Sequence, residues 1–316
     1  MTSPPSRRSA PAPARGASAS PRTSARLSAL LASAALAAAL AGCGGDDSSD
    51  EPQGADRFDA AAAFASIEDQ VAVGQRPAGS PQLRKLAERL RAELPEGRFE
   101  PVPGHSGLRN VVGTLPGPGP AIVIAAHYDT EAHPPGFVGA NDGAAGTAAV
   151  VELARVLERE LPPGHREVRF VLFDGEEEPL GCPDAQFQRC ALRGSKAYAA
   201  AHRGEIGELV LLDYIANEGL RLPREGNSDP ALYERLRTAA REAGFAGIFA
   251  GDQGLTVIDD HIPFVLQGVP AIDLIDFDYR YADTVEDTPD KLSEQSLDAV
   301  GESVAELALA LAAPQE

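Results

Sequence analysis

AIVIAAHYD, residues Ala121–Asp129, joins six apolar residues directly to a histidine, a tyrosine and an aspartate. A short apolar run of this kind predicts a buried β-strand. Val168–Phe173 (VRFVLF) and Glu208–Leu212 (ELVLL) have the same character, and each also runs into acidic residues. Patterns with helical spacing lie among these strands, at Gly143–Leu161, Arg193–His202 and Pro230–Gly244. Strands that alternate with helices predict an α/β fold in three α/β/α layers, with a mostly parallel mixed sheet at its centre.

The pattern extends towards both ends of the chain. Ala271–Ile275 predicts another strand, and helices are predicted at Phe58–Val73, Leu83–Leu94 and Ser293–Ala312. Asn110–Leu115 predicts a strand before Ala121–Ala126, and the Pro-Gly-Pro-Gly segment between them favours a β-hairpin. At 316 residues the chain is long enough for one large domain of this kind, with a leader and a linker.

Residues 1–42 have the features of an export signal. Arginines and no acidic residue precede the apolar run Leu27–Leu40, which is too short for a membrane span of about 20 residues. The run ends at Leu40-Ala-Gly-Cys43, which resembles the lipobox of bacterial lipoproteins, where the cysteine is acylated. We therefore expect an exported chain anchored to the bacterial cell membrane by a lipid on Cys43, facing outside the cytoplasm. A cleaved signal without a lipid and a short uncleaved anchor are the alternatives.

The segment after Cys43 is polar and acidic, so we expect residues 43–55 to be a flexible tether and residues 56–316 to form the folded domain. The whole chain has 47 acidic and 28 basic residues, a net charge of −19. This charge argues against a nucleic-acid partner, whose phosphates require basic residues, and against electrostatic adhesion to anionic lipid. The lipid on Cys43 is then the only membrane contact that we expect.

Two further cysteines, Cys182 and Cys190, lie close together in the sequence. An exported chain permits disulfides, so a bond between them is the favoured interpretation. Such a bond would stabilise the enclosed loop by roughly 2–3 kcal/mol on the chain-entropy model. A zinc site is the alternative, but two isolated cysteines provide too few ligands for one.

Residues that can bind metal follow the predicted strands. His127 and Asp129 follow the first strand, the segment Asp174–Glu178 follows the second, and Asp213 follows the third. Each alone has an ordinary role, such as a capping aspartate or a solvated glutamate. Together they are expected at the carboxyl ends of parallel strands, where ligands bind in such sheets. Imidazole and carboxylate groups at one edge favour a divalent cation, and zinc accepts this ligand set in hydrolytic sites.

The order of these residues resembles the M28 family of zinc metallopeptidases, a family of aminopeptidase-like enzymes related to glutaminyl-peptide cyclotransferases. The resemblance covers about residues 58–312 and no single motif carries it. It rests on these segments in this order: Arg76-Pro-Ala-Gly-Ser80, His127-Tyr-Asp129, Asn141-Asp-Gly143, Asp174-Gly-Glu-Glu177, Leu211-Leu-Asp213, Asp259-Asp-His-Ile-Pro-Phe264 and Asp283 to Leu292. It implies a zinc-exopeptidase-like fold and a peptide or aminoacyl substrate.

The resemblance also implies roles for single residues. Glu176 would be the general base, and Asp129 would hold the imidazole of His127. Two zinc ions would be bound, with manganese or cobalt as alternatives, and Asp142 would bridge them. The implied metal ligands are His127, Asp142, Glu177, Asp213 and Asp283.

Asp283 departs from the family pattern, which usually has a histidine at this place. A carboxylate can bind zinc, but it makes the site more negative than a histidine would. The expected consequence is a lower zinc affinity, a preference for another divalent metal, or the loss of one of the two ions. His261 is an alternative ligand, although a structural role for it is favoured. The leading hypothesis is therefore an aminopeptidase-type hydrolase. The alternatives are a glutaminyl-peptide cyclotransferase, against which the absence of tryptophan counts, and a non-catalytic domain that binds peptide or metal.

Overall fold

A mixed six-stranded sheet forms the centre of the fold. The computed structural model describes residues 56–314. The strands are β1 (Arg98–Pro101), β2 (Arg109–Leu115), β3 (Ala121–His127), β4 (Val168–Phe173), β5 (Ile206–Asp213) and β6 (Ala271–Ile275). Their order across the sheet is β1-β2-β4-β3-β5-β6. The four strands β4, β3, β5 and β6 are parallel to one another, whereas β1 and β2 are antiparallel additions at one edge.

The sheet order shows that the predicted hairpin between β2 and β3 is wrong. β4 lies between these strands, and β2 pairs with it in an antiparallel register that aligns Leu115 with Val168. The turn-forming Pro116–Gly119 segment therefore connects two strands that are not neighbours. β2 forms its hairpin-like pair with β1 instead, a short strand that the sequence did not predict.

Helices cover both faces of the sheet. One face carries α1 (Ala60–Val71), α2 (Pro81–Glu93), α3 (Gly146–Glu160), α6 (Pro230–Glu242) and α8 (Glu294–Ala312). The opposite face carries α5 (Arg193–Ala201) and the short α7 (Ile262–Val265), and a further short helix, α4 (Phe187–Cys190), packs at the periphery. The predicted three-layer α/β/α architecture is confirmed.

Alternation along the strands divides the core in two. In β3, Ile122 and Ile124 pack into the larger apolar cluster under α3 and α8, whereas Val123 and Ala125 pack into the smaller one under α5. Side chains of a strand point alternately to the two faces, so a strand covered on both sides must be apolar throughout. All seven residues of β3 are buried, including the terminal His127. The core thus fixes the position of the residues at the ends of the parallel strands.

The predicted leader, lipidation site and tether, residues 1–55, lie outside the described residues. Among the residues described, no helix combines the length and apolar character that a bilayer crossing requires.

Candidate metal centre

The register of the parallel strands brings His127 and Asp213 together. His127 ends β3 and Asp213 ends β5, and Ala125 pairs with Leu211 two residues before them. The imidazole Nε2 of His127 lies 3.4 Å from Oδ1 of Asp213. Both side chains are almost completely buried, with exposed fractions of 2% and 1%. Two residues 86 positions apart in the sequence thus meet because the sheet aligns them.

Asp142 approaches the same imidazole from a turn before α3. Its Oδ1 lies 3.1 Å from Nε2 of His127. The turn Ala140–Ala145 is a widened helical turn that breaks at Asp142 and Gly143, where the backbone leaves helical geometry. Gly143 has φ +86°, and a Cβ there would lie 2.8 Å from the carbonyl oxygen of Asp129 and 3.1 Å from Cε1 of His127. Only glycine adopts this positive φ without strain and also leaves room for these two neighbours, which explains the glycine in the Asn-Asp-Gly sequence.

Asp287 holds Asp142 in position. Its carboxylate accepts hydrogen bonds from the backbone N–H groups of Asn141 and Asp142, at 2.9 and 3.0 Å, and from the hydroxyl of Tyr279 at 2.9 Å. Burial raises the pKa of Asp287 to about 7, although the two backbone N–H groups oppose the shift. Asp287, from the segment Asp283 to Leu292, therefore positions Asp142 of the Asn141-Asp-Gly143 segment.

Glu176 and Glu177 complete the cluster from the loop after β4. Each contributes an oxygen to a group with His127 in which all donor atoms lie within 4.8 Å of one another, and His127, Asp142 and Asp213 form a second such group. Both glutamates are buried. The carboxylate oxygens of Glu177 accept no hydrogen bond from any part of the chain that the structure describes. A buried carboxylate without a hydrogen-bond donor fits a metal ligand.

Asp129 organises this loop more directly than it contacts the histidine. Its two oxygens accept the backbone N–H groups of Glu176, at 3.1 Å, and Glu177, at 3.3 Å. Its distance to Nδ1 of His127 is 3.7 Å, which is longer than a hydrogen bond. The sequence predicted only the contact with the imidazole, whereas the structure places Asp129 between His127 and both glutamates.

Asp283 lies beside the cluster but belongs to neither donor group. Its Oδ1 is 3.1 Å from the hydroxyl of Tyr214, and the same hydroxyl makes a short hydrogen bond to Oδ2 of Asp142. Tyr214 and Asp283 both have a positive φ, 47° and 56°, which is a strained backbone for residues other than glycine. Tyr214 thus connects two predicted ligands, Asp283 and Asp142. Nothing in the sequence pattern indicated Tyr214 except its place directly after Asp213.

The crowding of acidic groups is visible in their proton affinities. Burial raises the pKa of Glu177, and the neighbouring Asp142 and Glu176 raise it further. Burial, opposed by the contact with His127, raises the pKa of Asp213 to about 6. Burial acts to lower the pKa of His127, but Asp129, Asp142 and Asp213 outweigh it and raise that pKa well above its usual value. So many carboxylates at one point favour a bound cation, which would relieve their repulsion.

Arg76 is a buried positive charge that interacts electrostatically with several carboxylates of the site. Its side chain is fully buried and donates hydrogen bonds to the carbonyl oxygens of Tyr128, at 3.3 Å, and Gly139, at 3.0 Å. Burial lowers its pKa to about 10, although Asp142, Asp287 and Asp129 act to raise it. Because its hydrogen bonds go to backbone carbonyls, Arg76 connects the loops around the cluster without neutralising any single carboxylate.

His261 lies outside the cluster, between two other carboxylates. Nε2 is 3.2 Å from Oε2 of Glu225, and Nδ1 is 3.4 Å from Oδ2 of Asp273. The imidazole is completely buried and joins the segment before α7 to β6. This position agrees with the structural role that the sequence favoured over metal binding.

The disulfide between Cys182 and Cys190 is present and lies close to the loop that carries the glutamates. Directly after it, the N–H of Leu192 donates to the carbonyl of Glu176 at 2.9 Å. The guanidinium of Arg193 donates to the carbonyl of Glu177 at 2.7 Å. The disulfide loop is therefore continuous with the residues that hold the backbone of the predicted base and ligand.

Comparison with known proteins identifies the family. The model of peptidase family M28 matches residues 110–308, a segment that contains every residue of the donor cluster. The chain belongs to peptidase family M28. The M28 segment starts within β2 and ends within α8, so it spans the whole parallel part of the sheet.

Individual relatives of this M28 chain include cyclotransferases and a peptidase. The glutaminyl-peptide cyclotransferase of Bothrops jararaca is 29% identical over 233 residues, which cover 62% of this chain and 63% of that one. The chain thus spans less than two thirds of the length of that relative. The crystal structure of a glutaminyl cyclase from an Acidobacteriales bacterium matches 81% of this chain and 95% of its own, with a TM-score of 0.71 and 29% identity.

A leucine aminopeptidase precursor from Bacteroides thetaiotaomicron is similar to the same extent. Its crystal structure matches 82% of this chain and 98% of its own, with a TM-score of 0.70 and 26% identity. The predicted M28 resemblance and the zinc-exopeptidase-like fold are confirmed. The relatives divide between two reactions, so they leave the choice of reaction to the site itself.

Proposed function

We propose that this chain is a zinc-dependent aminopeptidase-type exopeptidase that hydrolyses the peptide bond next to a free N-terminus. One observation carries the proposal, the buried group of His127, Asp142 and Asp213 beside Glu176 and Glu177. The ligand set of one imidazole and several carboxylates suits zinc, with manganese or cobalt as alternatives. Similarity to a leucine aminopeptidase precursor supports the same reaction.

Five residues would hold the metal, and the number of ions is part of the proposal. His127, Asp142 and Asp213 would hold one zinc ion, and Asp142, Glu177 and Asp283 would hold a second. When bound, zinc polarises the substrate carbonyl and makes a water molecule more acidic. Asp129 and Asp287 would keep the ligand backbones in place through the hydrogen bonds described above.

Glu176 is proposed as the general base. It is completely buried, and its N–H is held by Asp129, which fixes its backbone beside His127. The carboxylate would take a proton from the attacking water and transfer it to the leaving amine. Glu176 and Glu177 can have different roles because a ligand is neutralised by the metal, whereas a base must remain available to the water.

The acidic surroundings suit a substrate with a free amino group. Glu131 and Glu178 each place an oxygen within 4.8 Å of an oxygen of Glu177. A substrate ammonium group near these carboxylates would be favoured electrostatically. This feature supports a free N-terminus as the recognised group, but both candidate reactions share that requirement.

A cavity of about 810 Å³, whose lining contains none of the donor residues themselves, is proposed to receive the rest of the substrate. Its lining includes Phe277, Tyr279 and Tyr281, and Tyr279 packs against Tyr214 with ring centroids 5.8 Å apart. Tyr214 contacts Asp142, so the aromatic side chains lead from the donor cluster to the cavity. Aromatic lining of this kind favours apolar or aromatic substrate side chains.

Glutaminyl cyclisation is the second candidate, because several similar proteins are glutaminyl cyclases. That reaction releases ammonia from an N-terminal glutamine and does not hydrolyse a peptide bond. The absence of tryptophan from the chain counts against it in our proposal. The aminopeptidase proposal is preferred because Glu177 lies in a different donor group from Asp142 and Asp213, which supports a second ion beside the first.

The two reactions are separated by their products. The zinc-loaded protein is incubated with a leucine-initiated peptide and with a glutamine-initiated peptide, and amine release and ammonia release are both measured. We expect amine release that a chelator abolishes and zinc restores. Ammonia release from the glutamine peptide alone would replace this proposal by the cyclase. No product from either, with metal bound, would favour a non-catalytic domain.

We also propose that the chain is exported and carries a lipid on Cys43, as its leader predicts. In a bacterial host, Cys43→Ser is expected to move the protein from the membrane fraction to the soluble exported fraction. Intact mass of the purified wild-type chain should show removal of residues 1–42 and the added lipid. A membrane-bound Cys43→Ser protein of full mass would indicate an uncleaved anchor instead.

A further inference from the structure

A second cluster of carboxylates lies where the described chain begins, away from the strand ends. Asp56 precedes α1, and Asp298 and Glu302 lie one turn apart on α8. Each offers one oxygen, and these oxygens lie within 4.8 Å of one another. Like charges at this spacing destabilise a helix, and Asp56 adds a third negative charge to the pair. None of the three belongs to the donor cluster around His127.

Glu302 is the buried member of this group, and one of its two carboxylate oxygens accepts hydrogen bonds from the backbone. Its exposed fraction is 3%, and Oε1 accepts the backbone N–H groups of Arg57 and Phe58, the latter at 2.6 Å. Phe58 is held against the same part of α8, because a Cβ on Gly301 would lie 2.3 Å from its ring. The start of the domain is therefore fixed closely against α8 at this point.

The other carboxylate oxygen of Glu302, Oε2, takes no part in these hydrogen bonds. Oε2 is buried and has no hydrogen-bond partner among residues 56–314. The guanidinium of Arg57 instead pairs with Glu306, with Nη1 2.8 Å from Oε2 of Glu306. A buried carboxylate oxygen that lacks a donor, on a side chain grouped with two further carboxylates, is costly unless a cation neutralises it.

We propose that Asp56, Asp298 and Glu302 form a calcium site that joins the start of the domain to α8. All three donors are carboxylate oxygens, with no imidazole or thiolate among them, and such a set favours a hard cation. Asp56 is exposed and Asp298 half-buried, so water can complete the coordination. Calcium is preferred over magnesium because it accepts irregular oxygen geometry.

The site has a structural consequence that does not depend on catalysis. A cation there would connect residues 242 positions apart, from Asp56 to Asp298, and would stabilise only the folded chain. For a dissociation constant of about 1 mM, 10 mM calcium is expected to raise the Tm by roughly 3–6 °C in a domain of this size. The effect should appear in protein whose zinc site is already filled.

The test compares Tm with and without calcium in the zinc-loaded full chain, together with calcium content from equilibrium dialysis. Asp298→Asn and Asp56→Asn are expected to lose the calcium shift and the bound ion while remaining folded. Asp69→Asn makes the same chemical change at an exposed position at the end of α1 and should keep both. Magnesium at the same concentration should give a smaller shift.

Two results would overturn the proposal. The first is no calcium-dependent shift in the wild-type chain, which would mean that the cluster stays empty. The second is an equal shift in Asp298→Asn and Asp69→Asn, which would place the bound calcium elsewhere. Neither readout uses turnover, so the outcome is independent of the reaction catalysed at the strand ends.

Discussion

The protein gathers carboxylates in two places that differ in burial and in donor chemistry. At the strand ends, His127 joins Asp142 and Asp213, and all three are buried. At α8, the cluster consists of carboxylates alone, and its outer member Asp56 is exposed. The first combines nitrogen with oxygen donors in a closed environment, which suits zinc, and the second offers only oxygen next to water, which suits calcium. In our proposals, donor chemistry therefore separates a site for catalysis from one for stability.

The largest effect is expected from Glu176→Gln. Loss of the general base should reduce turnover by about 10²- to 10⁴-fold while zinc remains bound, because glutamine keeps the shape but cannot take a proton. Activity and zinc content are measured on the same preparation. Glu160→Gln, at the exposed end of α3, is the matched control and should be active. Full activity of Glu176→Gln would remove this residue from the mechanism.

Substitution of Asp283 tests whether this residue is a fifth metal ligand of the cluster at the strand ends. Asp283→Ala is expected to weaken zinc binding by about 10- to 100-fold, as measured by competition with a chelator. Tyr214→Phe removes the hydroxyl that links Asp283 to Asp142 and should cost less than tenfold if Asp283 binds zinc directly. Equal losses in the two variants would show that Asp283 acts through Tyr214. Asp252→Ala, an exposed aspartate, serves as the control.

Removal of metal should make stability depend on pH in a definite direction. In the metal-free protein the folded-state pKa of Asp213 is raised from 3.8 to about 6, so the folded chain binds protons more tightly than the unfolded chain. The favourable contribution is present below 3.8 and is lost as the pH rises through about 6, by up to about 3 kcal/mol. The raised pKa of His127 has the same sign.

We expect zinc to replace these protons, so its stabilising effect should grow with pH. The rise in Tm on adding zinc is expected to be larger at a pH of about 7.5 than at about 5. Asp142→Asn should abolish most of this rise at both values. A zinc effect that is independent of pH would show that the metal binds away from these titrating groups. The calcium effect at α8 offers a comparison within the same molecule.

The smallest effect is expected from removal of the disulfide between Cys182 and Cys190. Cys182→Ser with Cys190→Ser should lower the free energy of unfolding by about 2–3 kcal/mol, measured by denaturant titration. Leu192 and Arg193 follow the bond and hold the backbone of Glu176 and Glu177, so substrate preference should change as well. The calcium shift should be unchanged. A variant with altered calcium response would indicate that the two clusters are coupled.

The comparison also shows what the sequence can predict. His127 and Asp213 each follow an apolar run, so strand patterns and the rule for parallel sheets place them at one edge. The α8 cluster follows no such rule. Asp298 and Glu302 have ordinary helical spacing, and their meeting with Asp56 depends on how the start of the domain packs against α8. The sequence pattern did not predict this cluster.

Strand pairing shows the same limit within the fold. Asn110–Leu115 and Ala121–Ala126 were correctly predicted as strands, but their adjacency was not, because β4 enters the sheet between them. A pairing with a strand about 50 residues later is decided by the whole core and not by the turn sequence. β1 was missed because Arg98–Pro101 is short and only partly buried. Tyr214 was missed because its role depends on a contact with Asp283, which is 69 residues away.

The metal content of the purified zinc-supplemented chain tests the account most directly. Elemental analysis and native mass spectrometry are performed on the wild-type chain, on Asp142→Asn and on Asp69→Asn. We expect zinc to be bound tightly in the wild-type and Asp69→Asn proteins and to be lost from Asp142→Asn, which remains folded. A folded wild-type chain without zinc, or zinc retained in full by Asp142→Asn, would contradict it.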